Sequence, residues 1–338
     1  MNTRLATDDG HQEDTQKKPL WSVAIIAASE SVATLEDVVR AVIVASSGHA
    51  VRIDVLVNGN RDLAEGLARR FEAMPIAGGG DSTLIVWAIK VGDKAQTWNT
   101  YVHRVYQGAE ITFFVDGYAH PRADALEELA TALRDDNEVL AATGVPTHGR
   151  SAGKQWRDMQ RLGGIHGNLF AVTKQTMDEF RRRGFRLPMG LYRTDSLIGA
   201  AINFRFDPAV NRWNPALIRV QPSATWYFQS LKWWRLGDIK THFKRVKRQA
   251  QGHLENLAVR DHLAERRQAP ESLPKTAREL VLQWWHGKSG PRWYRFFQHP
   301  TWFFAIRRFD EVRDWSDADL APESVFRHDG VQARKDLS

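Results

Sequence analysis

Short apolar segments alternate with amphipathic segments over residues 22 to 146, and this alternation limits the folds that the chain can adopt. The apolar segments are SVAIIAA, RIDVLVNGN, TLIVWAIK, EITFFVDG and VLAATGVP. Each has the length and the residue content of a buried strand. The segments between them carry apolar residues at helical spacing. Strands and helices that alternate in this way predict an α/β fold with a largely parallel sheet covered by helices on both faces.

The composition excludes several classes of protein. The 338 residues are 43% hydrophobic, which is enough for a substantial core, and they include no cysteine. Disulfide frameworks, thiolate nucleophiles and sulfur-ligated metal sites are therefore excluded. The longest apolar runs are far shorter than the ~20 residues that span a bilayer. Residues 1–19 are polar and do not resemble a secretory signal, so we expect a disordered tail and a cytoplasmic protein.

Common nucleotide-binding and hydrolase motifs do not fit the sequence. The first strand runs into IIAASES rather than the glycine-rich turn of dinucleotide-binding folds. The GKS at 287–289 lacks the glycine that a phosphate-binding loop needs five residues before Gly287, where Leu282 stands. The nucleophile motif G-x-S-x-G is also absent. Dinucleotide-dependent, P-loop and serine-hydrolase functions are therefore disfavoured.

The fourth apolar segment, TFFVDGYAHP at 112–121, ends on an acid. Open parallel sheets bind ligands just outside the carboxyl ends of their strands. Asp116 at this position is therefore more naturally a ligand contact than a core residue, although aspartate is also favoured in turns.

The order of the segments over residues 20–237 resembles that of family-2 glycosyltransferases with the GT-A fold. WSVAIIAASES is similar to the opening strand of that family, and IDVLVNGN is similar to its second strand. GDKAQTWN at 92–99 is similar to the G-K-A-x-A-L-N segment and places Lys94 and Asn99 at the matching positions. ITFFVDGYAHP takes the place of the segment that ends in Asp-x-Asp. The resemblance implies a catalytic GT-A domain whose nucleotide-sugar site includes Glu30, Asn58, Lys94 and Asp116.

Two later segments extend the resemblance. GNLFAVTKQTMDEFRRRGF at 167–185, with LPMGLYRTDSLIGAAI after it, looks like the acceptor segment of the family, and Asp195 matches its catalytic base. QSLKWWRLG at 229–237 resembles the Gln-x-x-Arg-Trp motif, with a lysine at the position of the arginine. The resemblance implies that the acceptor binds at Gln229, Trp233 and His166, and that Lys232 contributes to the nucleotide-sugar site.

The reaction that the resemblance implies is an inverting sugar transfer from a nucleotide sugar, with UDP as the expected nucleotide. The acceptor hydroxyl attacks the anomeric carbon, and a carboxylate takes its proton as the bond forms. We expect Asp195 to be this general base, and a saccharide or a lipid-linked molecule to be the acceptor. Cations neutralise the charge that develops on the leaving diphosphate, and Lys94 and Lys232 are available for that role.

Tyr118 stands where the family has its second acid, which is usually the direct metal ligand. A neutral phenol is a poor ligand for Mg²⁺ or Mn²⁺, whereas an imidazole can bind Mn²⁺. We therefore expect a divalent ion, Mn²⁺ or Mg²⁺, that is either bound weakly by Asp116 and His120 or dispensable.

Each of these residues also has a structural interpretation. Asp195 precedes the apolar helical segment SLIGAAI, and aspartate is a good helix N-cap. His120 and His166 can be ordinary loop histidines, and Lys94 can be an ordinary surface lysine. The ordered set of segments, rather than any one residue, favours the glycosyltransferase site.

The positive charge of the chain lies mainly in its C-terminal third. Residues 211–310 hold 19 Lys or Arg and 7 Asp or Glu, although the whole chain carries only +7. We expect a basic, Trp-rich helical extension over 238–315 and a mobile tail over 316–338. The mixture of aromatic and basic residues fits a segment at the inner face of an anionic membrane. It fits equally well a helical hairpin that packs its aromatic side chains on the catalytic body.

Two other functions stay open from the sequence. The basic Trp-rich region could bind nucleic acid by stacking on bases, but this would leave the ordered acids of the body unexplained, so we expect no nucleic-acid partner. The chain could also be an inactive glycosyltransferase-like scaffold at a membrane, because the second acid of the family is replaced.

Overall fold

The computed structural model describes residues 21–73, 78–147, 152–228, 237–287 and 301–331. The strands of these residues form one sheet of nine strands in the order β5-β8-β6-β7-β4-β1-β2-β3-β9. Their bounds are β1 (Trp21–Ala27), β2 (Val51–Asn58), β3 (Gly78–Ile89), β4 (Ile111–Asp116), β5 (His120–Pro121), β6 (Ala141–Pro146), β7 (Leu169–Thr173), β8 (Ile218–Tyr227) and β9 (Glu323–Val331).

The helices of the described residues alternate with the strands in the first half of the chain and dominate the second half. Their bounds are α1 (Val32–Ala45), α2 (Arg61–Ala73), α3 (Lys94–Thr100), α4 (Ala125–Arg134), α5 (Ala152–Leu162), α6 (Lys174–Arg182), α7 (Thr194–Asn203), α8 (Gly237–Arg260), α9 (Ala277–Gly287) and α10 (Thr301–Asp310). Single π-helical turns extend α3 over Tyr101–Val105 and α8 over Asp261–Glu265.

Four parallel strands, β3, β2, β1 and β4, form the centre of the sheet. Every residue of β1, β2 and β4 is buried, because the sheet is covered on both faces. Side chains alternate along β1, so that Ala24 and Ile26 enter one hydrophobic cluster while Val23 and Ile25 enter the other. The α/β fold with a parallel sheet that the sequence predicts is confirmed for this centre.

The outer strands make the sheet mixed, which the alternation of segments does not predict. β7 pairs antiparallel with both β4 and β6, and β5 pairs antiparallel with β8. At the opposite edge β9 pairs antiparallel with β3. The sheet therefore extends well beyond the parallel part on both sides.

An ion pair is buried inside the sheet. Asp54 of β2 is 0% exposed and accepts hydrogen bonds from Arg52 Nε at 2.9 Å, Arg52 Nη2 at 3.0 Å and Trp87 Nε1 at 2.8 Å. Burial raises the pKa of Asp54 above its ordinary value, although the bonds from Arg52 and Trp87 oppose the rise. Arg52 also donates to the side chain of Gln107. Each charge of the pair depends on the other, since neither faces water.

The C-terminal helices pack on the sheet domain. Trp284 and Trp285 of α9 and Trp302 of α10 are 3–8% exposed and belong to the same hydrophobic cluster as Trp98 of α3. The described part of the extension therefore fits the helical hairpin that packs its aromatic side chains on the body. Within the described ranges, none of the helices combines the length and the apolar character needed to cross a membrane.

The prediction of a mobile tail over 316–338 is wrong for its first part. Residues Ser316–Asp319 form a 3₁₀ turn, and β9 follows at the edge of the sheet. Val325 and Phe326 of β9 are half-buried and pack against the hydrophobic cluster on one face, whereas Ser324 and Arg327 are exposed. A strand that buries only one face needs few apolar residues, which is why this segment reads as a polar tail. Residues 332–338 and the predicted tail over 1–19 lie outside the described residues.

Candidate active site

Strand β4 places Asp116 at the carboxyl edge of the sheet. Asp116 is the last residue of the strand, pairs in register with Ile26 of β1, and is 6% exposed. Gly117 follows, and its N–H donates to the carbonyl of Ile26 at 2.8 Å. A Cβ atom at Gly117 would lie 2.6 Å from the Cβ of Ala27, so only glycine allows this close approach. The glycine therefore fixes where the strand ends and where its acid stands.

Helix α3 brings a lysine to this acid. Asp93 caps the helix, since its Oδ1 accepts the N–H of Gln96 at 2.8 Å. The next residue, Lys94, places its Nζ 2.5 Å from Asp116 Oδ1. Burial alone would lower the pKa of Lys94, but the carboxylates of Asp116, Asp195 and Glu30 raise it above its ordinary value. Lys94 is therefore a protonated ammonium at neutral pH.

Asp195 faces the same space from the other side. It is half-buried in the first turn of α7, beside the backbone of Gly167, where a Cβ atom would lie 3.5 Å from Asp195 Oδ2. Asp195, Asp116 and Lys94 line one hollow that opens to solvent. The remaining walls are mostly apolar and come from β1, β4, β7, α3 and α7: Ile26, Trp98, Phe114, Val115, Phe170, Thr194 and Ile198, with Gly167. The two acids that the sequence singles out thus share one cleft.

The alternative role of Asp195 as a helix N-cap does not hold. Helix α7 begins at Thr194, and Arg193 occupies the N-cap position without a side-chain capping bond. Asp195 is the second residue of the helix, where a negative charge interacts favourably with the helix dipole. Its carboxylate is therefore compatible with a role in the hollow.

Tyr118 covers the second oxygen of Asp116. Its hydroxyl lies 3.2 Å from Asp116 Oδ2 and 3.3 Å from Asn168 Oδ1, and either oxygen can accept its proton. Burial, together with the negative charge of Asp116, raises the pKa of Tyr118 well above its ordinary value. The residue is therefore a neutral phenol that acts as a hydrogen-bond donor.

His166 lies close to both acids. Burial lowers the pKa of His166 below its ordinary value, while Asp195 and Asp116 oppose this and Lys94 adds to it. Its Nδ1 accepts the N–H of Asn168 at 3.3 Å, and its ring lies 5.0 Å from that of Trp226. His166 is therefore a neutral imidazole held at the border of the hollow.

Glu30 and Asn58 shape the loops at the ends of β1 and β2. The carboxylate of Glu30 accepts the N–H groups of Ala28 at 2.7 Å and Ser29 at 2.9 Å. Asn58 Nδ2 donates to the carbonyl of Ala27 at 2.7 Å, and Asn58 is 5% exposed. Glu30 acts electrostatically on Lys94, whereas Asn58 is tied to β1. Their direct contact with a nucleotide stays a prediction.

A mannosyltransferase from Pyrobaculum calidifontis, solved in complex with GDP-Man and Mn²⁺, has a similar structure. The similarity covers 86% of this chain and 84% of that chain, with a TM-score of 0.51 and 15% sequence identity. The chain has the GT-A fold. At this identity the likeness establishes the fold, and the activity has to be argued from the site.

Two other solved glycosyltransferases match the chain with lower TM-scores. Glucosyl-3-phosphoglycerate synthase from Mycobacterium tuberculosis is 15% identical over 80% of this chain and 88% of its own, with a TM-score of 0.45. TarS of S. aureus, residues 1–349, is 12% identical over 85% of this chain and 80% of its own, with a TM-score of 0.48. No family model matches the chain, and no curated protein matches it in sequence.

The described side chains near Asp116 show no clear site for the metal ion that the GT-A resemblance implies. Lys94 and Tyr118 already donate to the two oxygens of this single acid. His120 is 3% exposed, stacks on Tyr227, and keeps its Nδ1 buried without a hydrogen-bond partner, so this atom does not face the open hollow. In the part of the chain that the structure describes, no group of three His or acidic residues could hold a metal. The described side chains thus show no clear metal site, and the weak binding of a divalent ion by Asp116 and His120 stays a prediction.

Mn²⁺ binding provides a test of this conclusion. Replacing Tyr118 with Asp supplies a second carboxylate beside Asp116, and oxygen ligands are what Mn²⁺ prefers at such sites. We expect Tyr118→Asp to bind Mn²⁺ at least tenfold more tightly than the unmodified protein, as measured by the loss of the electron paramagnetic resonance signal of free Mn²⁺. Tyr118→Asn is the matched neutral control. Equal Mn²⁺ affinity in all three proteins, at a level that gives stoichiometric binding, would show that the unmodified chain already has a metal site.

Three predicted site residues lie outside the described residues. These are Gln229, Lys232 and Trp233, which belong to the segment between β8 and α8. Their roles in acceptor and donor binding stay predictions. Of the remaining predicted site residues, the structure places Asp116, Lys94, Asp195 and His166 close to one another at the hollow.

Some residues that organise the site carry little signal in the sequence. Asn99, which the resemblance places in a family motif, binds both backbone groups of Leu187, at 2.9 and 2.8 Å. Asp93 Oδ2 accepts the N–H of Gly190 at 3.0 Å. Both contacts fix the loop that leads to α7. Asn168 could have been singled out from its place beside Gly167 in the acceptor segment, but nothing in the sequence indicates its contact with Tyr118.

Proposed function

We propose that the chain is an inverting glycosyltransferase that moves a sugar from a nucleotide sugar to a hydroxyl of a saccharide or a lipid-linked acceptor. One observation carries the proposal: in a chain with the GT-A fold, Asp116 and Asp195 line one open hollow, with the ammonium of Lys94 beside them. This is the set that sugar transfer requires, namely a base, a cation and a polar anchor in a partly apolar cleft.

Asp195 is the general base of the proposed reaction. The oxygen of the acceptor hydroxyl attacks the anomeric carbon from the face opposite the nucleotide, and the bond from that carbon to the diphosphate oxygen breaks. The proton of the hydroxyl passes to the carboxylate of Asp195, and the nucleoside diphosphate leaves as an anion. The position of Asp195 at the wall of the hollow, half-buried and without an ion pair to another described residue, supports this role.

Lys94 and Asp116 bind the donor in this proposal. The ammonium of Lys94 neutralises the charge that develops on the diphosphate, which is most effective in a site that holds little water. Asp116 accepts hydrogen bonds from the hydroxyl groups of the donor, and its negative charge holds Lys94 in place. The mannosyltransferase of similar structure was solved with GDP-Man, so GDP-sugars should be tested beside the UDP-sugars that the sequence favours.

Donor binding can be measured by the shift in melting temperature with a panel of UDP- and GDP-sugars. A ligand at a concentration of 100 Kd stabilises the folded protein by about 2.7 kcal/mol. We expect at least one donor to raise the melting temperature of the unmodified protein. Lys94→Met should lower the affinity for that donor about 10- to 100-fold, because a hydrogen bond to a charged group contributes about 1.5–3 kcal/mol.

Lys174→Met is the control for Lys94→Met. Lys174 is exposed on α6 and pairs with Asp178 outside the hollow. The control should bind the donor as the unmodified protein does. If no nucleotide sugar stabilises the protein, or if both lysine variants bind equally well, the proposal fails. Binding of RNA with a steep dependence on salt would then favour the nucleic-acid function.

The remaining expectations concern location. A cytoplasmic position and contact with an anionic membrane surface stay predictions. The described aromatic side chains of α9 and α10 divide into buried ones, such as Trp285, and exposed ones, such as Phe304 at 56%. The buried set stabilises the fold of the extension, so only the exposed set is available for a lipid surface.

A further inference from the structure

A carboxylate of the C-terminal extension is buried against the loop that leads to Asp195. Glu255 of α8 is 0% exposed. Its two oxygens accept the N–H of Tyr192 at 3.0 and 3.1 Å and the N–H of Arg193 at 3.0 Å, and Gln251 Nε2 donates to it at 2.7 Å. A buried charge is costly unless hydrogen bonds compensate it. The proposed reaction does not use this acid, so its burial needs another explanation.

The same stretch of α8 is shaped to fit the side chains of Tyr192 and Arg193. A Cβ atom at Gly252 would lie 2.7 Å from Arg193 Nε and 3.1 Å from Tyr192 Cδ1. Any larger residue at this position would push the two side chains away. Glu255 holds the backbone of the loop and Gly252 makes room for its side chains. Helix α8 therefore fixes the loop over 192–193 both by hydrogen bonds and by packing.

Tyr192 lies near the hollow without lining it. Tyr192 precedes Asp195 by three residues and is 42% exposed. It lies close enough to Tyr118 to act electrostatically on the hydroxyl that contacts Asp116. The guanidinium of Arg193 lies over the ring of Tyr192, 5.6 Å from its centre. The ring is thus supported by the protein on one side and is accessible next to the proposed base.

We propose that Tyr192 is an acceptor-binding residue whose ring contacts a pyranose ring of a saccharide, and that Glu255 is a positioning residue which holds Tyr192 in place. The inference rests on the proposed function, since it assigns the acceptor to the side of the hollow where Asp195 lies. A flat ring with a hydroxyl group offers an apolar surface for the C–H face of a sugar and a hydrogen bond for its hydroxyl groups. A small anionic acceptor would have no need of such a surface.

Saturation-transfer NMR with simple pyranosides tests the contact directly. The probes are methyl glucoside, methyl mannoside, methyl galactoside and N-acetylglucosamine, each with the protein saturated by a donor that binds it. We expect at least one probe to receive magnetisation from the unmodified protein. Tyr192→Ala should lower the affinity for that probe about tenfold or more, which corresponds to about 1.4 kcal/mol of binding free energy. Tyr192→Phe, which keeps the ring, should restore most of the binding.

Trp213 provides the control for the loss of an exposed ring. It is 44% exposed and stacks edge-on against Phe204, at the end of α7 opposite Asp195. Trp213→Ala should leave pyranoside binding unchanged. If no pyranoside contacts the unmodified protein, or if Tyr192→Ala binds the probe as well as Tyr192→Phe does, the inference is wrong. Donor binding is measured on the same samples, so a protein that binds donors but no pyranoside refutes the inference and leaves the proposed function intact.

The role of Glu255 is tested by comparing the affinity for the pyranoside probe with the affinity for the donor. Glu255→Ala should weaken the pyranoside probe about fivefold or more at a temperature well below the melting point, while the affinity for the donor stays the same. Glu255→Gln keeps an oxygen that can accept one backbone N–H. Its affinity for the pyranoside probe should therefore lie between that of the unmodified protein and that of Glu255→Ala. Asn256→Ala, at an exposed position of the same helix, is the control. A loss of both affinities together, or of neither, would show that Glu255 supports the fold without positioning Tyr192.

Discussion

Replacing Asp195 with asparagine is expected to reduce the rate of sugar transfer by about 10²- to 10⁴-fold, the range that a positioned general base contributes. Asparagine has the shape of aspartate but cannot take up the proton of the acceptor hydroxyl. Donor binding should change by less than about threefold, because the diphosphate is held by Lys94 rather than by this side chain. The measurements are single-turnover transfer with saturating donor and, separately, the donor-induced shift in melting temperature.

Asp178→Asn serves as the control for this prediction. Asp178 is an exposed acid of α6 that pairs with Lys174, so its replacement removes one negative charge at a distance from the hollow. Transfer by this variant should match that of the unmodified protein. If Asp195→Asn keeps more than a tenth of the normal rate, another group takes the proton, and Asp195 serves only to shape the cleft.

Replacing Asp54 with alanine is expected to cost about 3–5 kcal/mol of unfolding free energy, the usual result of removing one partner from a buried ion pair. Arg52 is 6% exposed and would be left with a buried charge and no carboxylate in the sheet. Trp87 Nε1 would lose its acceptor as well. Urea unfolding followed by tryptophan fluorescence gives the midpoint and the slope, from which the change in stability is obtained.

The double replacement Arg52→Met with Asp54→Leu distinguishes the cost of an unpaired buried charge from the cost of changing the packing. Removing both charges together leaves no buried ion, so the double variant should recover most of the stability that Asp54→Ala loses. Asp62→Ala, in the first turn of α2, is the control for removal of an acid near the surface. A loss below about 1 kcal/mol for Asp54→Ala would mean that water reaches Arg52 and solvates it.

The centre of the fold and the polar residues of the hollow could both be predicted from the sequence, because the central strands and their ends are easy to recognise. Strands that are buried on both faces are largely apolar, so their ends are easy to locate, and Asp116 is conspicuous as the acid that ends the apolar run of β4. Lys94 and Asp195 were then found through the order of the segments that resemble the family. All three residues line the hollow in the structure.

Other features depend on contacts between distant segments that leave no local trace. The segment ESVFRHDGV has too few apolar residues to indicate a strand, yet it forms β9 because the edge of β3 is available for pairing. Glu255 looks like any polar residue on a basic helix until the loop over 192–193 is packed on it. Likewise, nothing in the sequence indicates that His120 is buried against Tyr227, and its role as a metal ligand stays a prediction.

Strand β9 has a consequence for biosynthesis. Thr83 of β3 and Asp329 of β9 share a hydrogen bond although they are 246 positions apart, and Arg61 of α2 donates two hydrogen bonds to the carboxylate of Glu323 of β9. Until β9 has been synthesised, the outer edge of β3 has no partner strand to form hydrogen bonds with its backbone N–H and C=O groups. Nascent chains with such an uncovered rim are prone to associate with one another. Strand β9, which is translated long after β3, thus covers an edge of the sheet that would otherwise be open to pairing with other chains.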